Sequence, residues 1–309
     1  MRGTDATKRF RQLLAGPDPV VSPGIFDPLT GRLAEAAGFK SVYVGGWTTG
    51  AHTAITEPLL TMTEQIAVAE RVARSVNVPV WMDGHTGGGD ATHAARTVHE
   101  CEMAGIAGFH IEDQLFPKRL GYHVGKKYIV PIKEAVHKLK AAMAARTDKN
   151  FFIVARTDAW GAEGGGLDEA IRRCNAFAEA GAEALLPMVF DPDEAHKIRE
   201  AVPGLPMAWL AGTSGMKLKE KSDSAGGDRT TIPELSIRDV QSMGYNIILY
   251  PLAFIVASTI AVNRLLHEIR DTGTCDLSGF EEGRKAIQDV IKVESLFSLE
   301  DQEGAPQQH

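Results

Sequence analysis

Cysteine, aromatic residues and long apolar segments are all scarce in this chain of 309 residues. The three cysteines lie far apart and form no CxxC pair, which argues against a disulfide framework and favours a reducing compartment, the cytoplasm. No apolar run approaches the roughly 20 residues that a membrane span requires, and the charged N-terminus lacks the apolar core of a signal peptide. Lysine and arginine form no cluster and the net charge is -7, which argues against nucleic acid as a partner.

Short β-type runs alternate with helical patterns along nearly the whole chain. Hydrophobic residues make up 44% and charged residues 24%, an ordinary globular mixture that can form a sizeable core. The predicted strands are 20–24, 41–46, 78–83, 108–112, 151–156, 184–190, 206–210 and 246–252. About eight strand–helix units predict an α/β fold, a closed parallel (β/α)8 barrel of the TIM type.

The domain organisation follows from the same pattern, since no linker separates two parts of the chain. We predict a single barrel domain over residues 1–309, with the barrel itself at about 18–271. A helical extension is expected at about 277–297, with one helix from about 280 to 295, and a disordered tail at 300–309. A polar, glycine-rich stretch at 212–230 predicts a long loop after the seventh strand.

The most informative stretch runs from Gly108 to Pro131. A short apolar run ends there in two carboxylates, Glu112 and Asp113, and a loop rich in Lys, Arg, Gly, Tyr and His follows. Carboxylates at the end of a buried strand, beside a cationic loop, are what a metal-assisted site for an anionic substrate needs. The alternative is a surface turn whose charges only face water.

Candidate metal ligands follow from the rule that barrel enzymes place catalytic residues at the C-terminal ends of the strands. Asp83, His85 and Glu112 meet that condition and can converge on one point. Two carboxylates and an imidazole suit a divalent cation, Mg²⁺, and the imidazole shifts the preference toward Mn²⁺ as the alternative. A strand-end cap for Asp83 and a hydrogen-bonded loop residue for His85 remain open.

A candidate substrate group closes the fifth strand. Arg156 there predicts a partly buried guanidinium that binds a substrate carboxylate through two parallel hydrogen bonds. A structural ion pair with Asp158 or Glu112 is the alternative. Apolar side chains at other strand ends, Trp47, Met188 and Trp209, suggest a bulky substrate arm with little charge.

Short motifs in a fixed order resemble the isocitrate lyase/phosphoenolpyruvate mutase superfamily, in particular its methylisocitrate lyase-like branch. The likeness covers about residues 10–295. Its most specific pieces are PGIFD at 23–27, YVGGW at 43–47, LTMTE at 60–64, VWMD at 80–83, HIEDQ at 110–114, KRLGYH at 118–123, ARTDA at 155–159 and YPL at 250–252.

The resemblance implies a (β/α)8 barrel that holds a Mg²⁺-bound 2-oxo or enolate carboxylate under a gating loop after strand four. It also implies a homotetramer whose last helices swap between neighbouring subunits. Asp83 matches the direct metal ligand of the family and Glu112 a metal-shell carboxylate, while His85 is a metal-ligand candidate from its strand position alone. The implied catalytic residues are Glu112, Lys118, Tyr122, His123 and Arg156, and the implied substrate-binding residues are Tyr43, Gly45, Gly46, Trp47, Gly121 and Arg156.

The departures from the family pattern concern the proton donor and the metal. Leu120 stands where lyases of the family carry a cysteine, and Tyr122 stands where they carry histidine, with His123 one step on. Either of these two can donate a proton where leucine cannot. His85 replaces a second aspartate, and Glu57 lies next to the position of another aspartate of the family.

Three functions remain open from the sequence. The first is a metal-dependent carbon–carbon lyase that cleaves a 2-hydroxy di- or tricarboxylate, methylisocitrate-like or malate-like, to a 2-oxo acid and a carboxylate. The second is a decarboxylase of oxaloacetate or another 2-oxo acid, or a phosphonopyruvate-type enzyme. The third is a non-catalytic barrel that binds a carboxylate. In each case the expected partner is a small-molecule carboxylate rather than nucleic acid or a membrane.

Overall fold

The computed structural model describes residues 3–212 and 234–303, and within them eight strands and twelve α-helices follow one another along the chain. The strands are β1 (Val20–Pro23), β2 (Val42–Val44), β3 (Val80–Asp83), β4 (Gly108–Glu112), β5 (Phe152–Thr157), β6 (Ala184–Pro187), β7 (Ala208–Leu210) and β8 (Ile247–Tyr250). The helices are α1 (Gly3–Leu14), α2 (Pro28–Ala36), α3 (Gly46–His52), α4 (Met62–Ser75), α5 (Ala91–Met103), α6 (Ile132–Ala145), α7 (Leu167–Glu179), α8 (Pro192–Ala201), α9 (Ile237–Ser242), α10 (Ala253–Thr272), α11 (Phe280–Ile291) and α12 (Val293–Glu303).

The strands close into a parallel barrel. One sheet has the order β2-β3-β4-β5-β6 and the other β1-β8-β7. Two parallel bridges join them, Gly24 with Tyr43 and Leu185 with Met207. Since the eight parallel strands alternate with helices along the chain and close on themselves, the fold is a (β/α)8 barrel of the TIM type, and the predicted fold class is confirmed.

Strand alternation divides the core into two layers. The layer inside the barrel includes Tyr43, Trp81, Phe152, Leu186 and Leu249. The layer between strands and helices includes Val44, Met82, Phe109, Ile153 and Trp209. The prediction that Trp209 lines the substrate pocket is therefore wrong, because its ring packs outward against Tyr245 with ring centroids 5.6 Å apart.

Helix α1, which the sequence analysis did not predict, covers the N-terminal end of the barrel. Its Phe10 is fully buried, with ring centroids 5.6 Å from Trp81 and 5.5 Å from Phe152. A hydrogen bond of 2.7 Å from Arg11 to Glu183 ties the helix to the barrel. The aromatic side chains thus fill the end of the barrel opposite the strand C-termini.

Several predicted strands are longer than the observed ones. Strand β2 ends at Val44 since α3 starts at Gly46, and β8 ends at Tyr250 since α10 starts at Ala253. Helix α3 was not predicted, while β4 has the predicted bounds. The predicted loop at 212–230 lies outside the described residues from position 213 onward.

The C-terminal extension contains two helices instead of the one predicted. Lys292 takes a left-handed conformation, φ 60°, which separates α11 from α12. Helix α12 continues to Glu303, so the first residues of the predicted tail are helical, and the rest of that tail lies outside the described residues. Across residues 3–212 and 234–303, no helix combines the length and the apolar character that crossing a membrane demands.

Candidate active site

Three side chains distant in sequence meet at the C-terminal mouth of the barrel. Asp83 and Glu112 are the last residues of β3 and β4, and Arg156 is the residue before the end of β5. All three side chains are buried. Glu112 and Arg156 are direct partners in the β4–β5 register, with Arg156 Nη2 3.1 Å from Glu112 Oε2. Arg156 Nη1 lies 3.7 Å from Asp83 Oδ2. The parallel sheet itself brings these charges together.

The guanidinium plane of Arg156 is fixed by Asp158. Arg156 Nε and Nη2 donate hydrogen bonds to the two oxygens of Asp158, at 2.9 and 3.3 Å. Lys127 donates a third bond to Asp158, at 2.6 Å. Burial raises the pKa of Asp158, but the charges of Arg156 and Lys127 outweigh burial and bring it well below its usual range. Asp158 is therefore ionised and holds the arginine in place.

The loop after β4 places a lysine in the site. An antiparallel bridge between Gln114 and Ile129 holds the two ends of this loop together. The Nζ atom of Lys118 lies 2.8 Å from Glu112 Oε1 and also pairs with Glu57. Lys118 is only 8% exposed although it belongs to a loop. The loop therefore lies over the charged cluster with its ammonium group inside.

The remaining predicted loop residues differ in how they face the site. The ring of Tyr122 lies 4.8 Å from Lys118 Nζ, and burial with the charge of Glu57 raises the pKa of Tyr122. Gly121 precedes it in the same half-buried 3₁₀ turn. His123 is exposed and bonds to Thr56. Leu120, at the cysteine position of the resemblance, is 58% exposed.

Glu57, Asp83 and His85 form the group that could hold a metal ion. One ligand atom from each lies within 4.8 Å of the others, and all three residues are buried. The backbone N–H of His85 donates to Asp83 Oδ1 at 2.7 Å, and Nδ1 of His85 lies 3.6 Å from Glu57 Oε1. Of the predicted ligands, Glu112 is absent from this group in the described part of the chain, and it pairs with Lys118 instead.

Sequence reasoning did not assign Glu57 a role. The residue starts a 3₁₀ helix, Glu57–Leu59, in a loop without periodic pattern. The available signal was its position next to the expected family aspartate. Burial opposes ionisation, but the Lys118 charge lowers the pKa of Glu57 to about 2.

The other two carboxylates of the site have opposite pKa shifts. Burial raises the pKa of Asp83, but the neighbouring imidazoles and the Arg156 guanidinium outweigh burial and lower it far below its usual range. Burial raises the pKa of Glu112, and the charges of Arg156 and Lys118 only partly oppose the rise. Glu112 is therefore the carboxylate better suited to accept a proton.

Tyr43 and His110 form the inner wall below this cluster. The Tyr43 hydroxyl lies 2.7 Å from His110 Nε2, and His110 Nδ1 lies 3.6 Å from Asp83 Oδ1. Burial lowers the pKa of His110 to about 4, which the charge of Asp83 only partly opposes. The imidazole is therefore neutral, with Nε2 bonded to the tyrosine and Nδ1 beside the aspartate.

The predicted substrate-binding loop of Gly45, Gly46 and Trp47 adjoins Asp83. The backbone N–H of Gly46 donates to Asp83 Oδ2 at 3.3 Å. A Cβ atom on Gly46 would stand 2.4 Å from His85 Cε1 and 2.9 Å from Asp83 Oδ2. The close approach of backbone and side chains therefore requires glycine at this position, while Trp47 beside it is half-buried.

Asp113 lies outside this cluster, although it follows Glu112 directly. It accepts hydrogen bonds from Thr157 at 2.6 Å and from the backbone N–H of Asp158 at 3.0 Å. Arg173 on α7 donates a further bond to it at 3.0 Å. Asp113 thus supports the strand end that carries Arg156 and does not face the barrel mouth.

A family model and two relatives of known name match most of the chain. The family model described as phosphoenolpyruvate phosphomutase matches residues 10–270. The chain is 37% identical over 272 residues to "Probable 2-methylisocitrate lyase 2" of Corynebacterium glutamicum, covering 87% of this chain and 82% of the relative. It is 36% identical over 270 residues to 2,3-dimethylmalate lyase of Eubacterium barkeri, covering 86% of each chain.

Solved structures resemble the whole chain. Oxaloacetate acetylhydrolase in complex with 3,3-difluorooxalacetate has a TM-score of 0.83 at 25% identity, with 100% of both chains covered. Phosphonopyruvate hydrolase in complex with oxalate and Mg²⁺ has a TM-score of 0.79 at 27% identity, covering 97% of this chain and 99% of the other. The relatives and structures share one superfamily but differ in the reactions named for them.

Proposed function

Because the chain belongs to the phosphoenolpyruvate mutase/isocitrate lyase superfamily, we propose that it is a metal-dependent carbon–carbon lyase. The proposed reaction cleaves a 2-hydroxy di- or tricarboxylate, such as methylisocitrate or a substituted malate, to a 2-oxo acid and a carboxylate. Two relatives named as lyases of such acids support this choice. The observation that carries it is the meeting of Arg156 and Lys118 with the buried carboxylates at one barrel mouth.

The charges of the site suit a cation and a dianion that bind together. Four buried carboxylates face three cationic side chains; they are Glu57, Asp83, Glu112 and Asp158 on one side and Lys118, Lys127 and Arg156 on the other. The cluster carries one net negative charge, so a dianion alone would bring it to three negative charges, whereas a dianion bound together with a divalent cation leaves it at one. Joint binding keeps the buried charge small, which is the less costly state.

The donor set fits a divalent cation, with Mg²⁺ as the proposed ion and Mn²⁺ as the alternative. Asp83 and His85 would hold it, with Glu57 next to the imidazole. Nε2 of His85 is buried without a hydrogen-bond partner among the described residues, so it is available as a ligand atom. When bound, the cation supplies Lewis acidity that stabilises negative charge on the C2 oxygen of the substrate.

The protein residues would bind and orient the substrate. Arg156, held by Asp158, presents the guanidinium for a substrate carboxylate. The glycine-containing loop of Gly45, Gly46 and Trp47 lets backbone N–H groups approach the 2-oxo end. Lys118 adds a second cation and brings the loop over the mouth, which keeps water from the reacting atoms.

The proton steps are assigned to Glu112 and Tyr122. Glu112 accepts the hydroxyl proton as the carbon–carbon bond breaks, because burial raises its pKa toward the range of a general base. Tyr122 is protonated at neutral pH since its pKa is raised, and it donates its hydroxyl proton to the enolate carbon. Leu120 has no proton to give, and His123 is the alternative donor.

We also propose a homotetramer in which the C-terminal helices swap between subunits. Helix α10 has no buried residue and presents exposed apolar side chains such as Ile260 and Leu266, 66% and 60% exposed. Apolar surface of this extent is typical of an interface. Light scattering coupled to gel filtration should give four chains per particle, and a monomer would contradict the proposal.

The proposed function is tested by product release. The protein with Mg²⁺ or Mn²⁺ is incubated with methylisocitrate, 2,3-dimethylmalate and isocitrate, and pyruvate, propionate and glyoxylate are measured. We expect release from at least one acid, and a fall of about 100-fold or more in kcat/KM for Arg156→Lys, which loses the bidentate fork. No product from any of these acids would remove the lyase proposal.

A second candidate function is hydrolysis or decarboxylation of oxaloacetate or a related 2-oxo acid. The exposed Leu120 at the cysteine position and the likeness to oxaloacetate acetylhydrolase favour it. Oxaloacetate consumption above the metal-only rate, without cleavage of the hydroxy acids, would select it. If no acid is turned over but calorimetry finds metal-dependent oxalate binding, the chain is a non-catalytic barrel that binds a carboxylate.

A further inference from the structure

The backbone of His85 is held in an unusual conformation. Its φ is +47°, a region that costs a non-glycine residue about 1 kcal/mol or more. Two hydrogen bonds hold it there, one of 2.7 Å from its own N–H to Asp83 Oδ1 and one of 2.8 Å from the N–H of Glu112 to its carbonyl. Both partners are buried residues of the barrel mouth, so the site itself fixes where the imidazole points.

The imidazole ring faces the charged cluster. His85 is 8% exposed, and Nε2 has no hydrogen-bond partner in the described ranges of the chain. Nε2 of His85 and Oδ2 of Asp83 lie 3.0 and 2.9 Å from the point that a Cβ on Gly46 would occupy. One nitrogen and one carboxylate oxygen therefore lie beside the same point of the Gly46 backbone, where a side chain would not fit.

The other ring nitrogen has a carboxylate beside it. Nδ1 of His85 lies 3.6 Å from Glu57 Oε1, and the Glu57 carboxylate is ionised through its pairing with Lys118. In metal sites, a carboxylate beside one nitrogen of a ligating imidazole orients the ring so that the other nitrogen faces the metal. Glu57 thus orients the ring, and Nε2 is the free donor atom.

We propose that Nε2 of His85 and the carboxylate of Asp83 bind the cation directly, and that the protein therefore selects a first-row transition metal of the Mn²⁺ type over Mg²⁺. Imidazole nitrogen is a ligand that manganese and later transition ions accept, whereas Mg²⁺ prefers oxygen and water. The inference rests on the proposed function, whose cation it identifies.

Pulsed electron paramagnetic resonance tests the nitrogen ligand without an activity readout. The chelator-treated full-length protein is loaded with Mn²⁺, and nitrogen-14 modulation of the manganese signal is recorded. We expect modulation in the wild type and its loss in His85→Asn. The matched control is His93→Asn, an exposed histidine that bonds to Asp90 at the start of α5. It should keep the modulation.

Calorimetry on the same proteins measures the selectivity. The wild type should bind Mn²⁺ at least about 10-fold more tightly than Mg²⁺, and His85→Asp should reduce that ratio by about 10-fold. The aspartate variant restores an all-oxygen donor set and guards against the possibility that His85→Asn fails to fold.

The outcomes separate this inference from the proposed function. Bound Mn²⁺ without nitrogen-14 modulation in the wild type, or an unchanged ratio in His85→Asp, overturns the inference. If product is nevertheless released with Mg²⁺, the proposed function stands alone. If neither ion binds and no acid is cleaved, both fall.

Discussion

The Nζ atom of Lys118 lies 2.8 Å from Oε1 of Glu112 and pairs with Glu57 on its other side. A loop residue thereby neutralises two buried carboxylates that come from different parts of the barrel. The position of the loop is therefore tied to the charge of the site, since withdrawing the ammonium would leave both carboxylates unpaired.

Replacing Lys118 by methionine should lower kcat/KM by about 100-fold, because it removes a cation that would stabilise negative charge developing in the transition state. Steady-state kinetics with the accepted hydroxy acid measures the change. Lys126→Met is the matched control, an exposed lysine of the same loop that should change kcat/KM by less than about 2-fold. Equal effects of the two substitutions would contradict the assignment of Lys118.

Gly46→Ala should reduce the affinity for Mn²⁺ by about 10- to 100-fold. The added Cβ would meet His85 Cε1 at 2.4 Å and Asp83 Oδ2 at 2.9 Å, which displaces both groups. Calorimetric titration measures the affinity. Gly161→Ala serves as control, since a Cβ there meets nothing within 4 Å. Unchanged metal binding in Gly46→Ala would show that the close approach is not needed.

Glu57 should stabilise the metal-free fold in a pH-dependent way. Burial opposes its ionisation, but Lys118 lowers its pKa from 4.5 to about 2. The stabilisation is complete above the pKa of Glu57 in the unfolded chain and is lost as the pH falls through its pKa in the folded protein. Glu57→Gln should therefore cost about 3 kcal/mol at pH 7 and about half as much at pH 3. Urea unfolding measures both, and an equal cost at the two pH values would refute the pairing.

Tyr122→Phe should lower kcat by about 100-fold, because it removes the proposed proton donor to the enolate. His123→Gln should lower it by less than about 10-fold, since His123 is exposed at the rim and bonds to Thr56. Release of the 2-oxo acid and deuterium incorporation from heavy water into the second product are measured together. A larger effect at His123 would transfer the role to the histidine.

Iodoacetamide should leave the activity unchanged. Cys101 and Cys174 are buried, and burial raises the pKa of the Cys174 thiol to about 12. Cys275 is exposed between α10 and α11. Mass spectrometry should find one modified cysteine in the native protein and three in urea. Inactivation by the reagent would place a required thiol in the site.

The sequence was most informative where buried strands end in charged residues. Strand β4, Gly108–Glu112, is a short apolar run with a carboxylate at its end, and it has the predicted bounds. The strand-end rule also placed Asp83 and Arg156 at the mouth. In the structure, the carboxylates of Asp83 and Glu112 both lie within ion-pair distance of the Arg156 guanidinium. Their catalytic roles stay predictions.

The sequence was least informative where neither periodicity nor strand position fixes a side chain. Glu57 lies in a 3₁₀ helix of a loop, so only tertiary packing brings it to Lys118 and His85. The direction of Trp209 was wrong because a short strand, Ala208–Leu210, gives too few residues to decide which face is inside. Helix α3 begins with glycine and carries no capping side chain, so it gave no start signal.

The aromatic group of Phe10, Trp81 and Phe152 has a consequence for turnover. Since these rings occlude one end of the barrel, the substrate and products of the proposed reaction would enter and leave at the other end. That end lies beneath the segment bearing Lys118. For the proposed reaction, we therefore expect the release of both fragments to require movement of this segment.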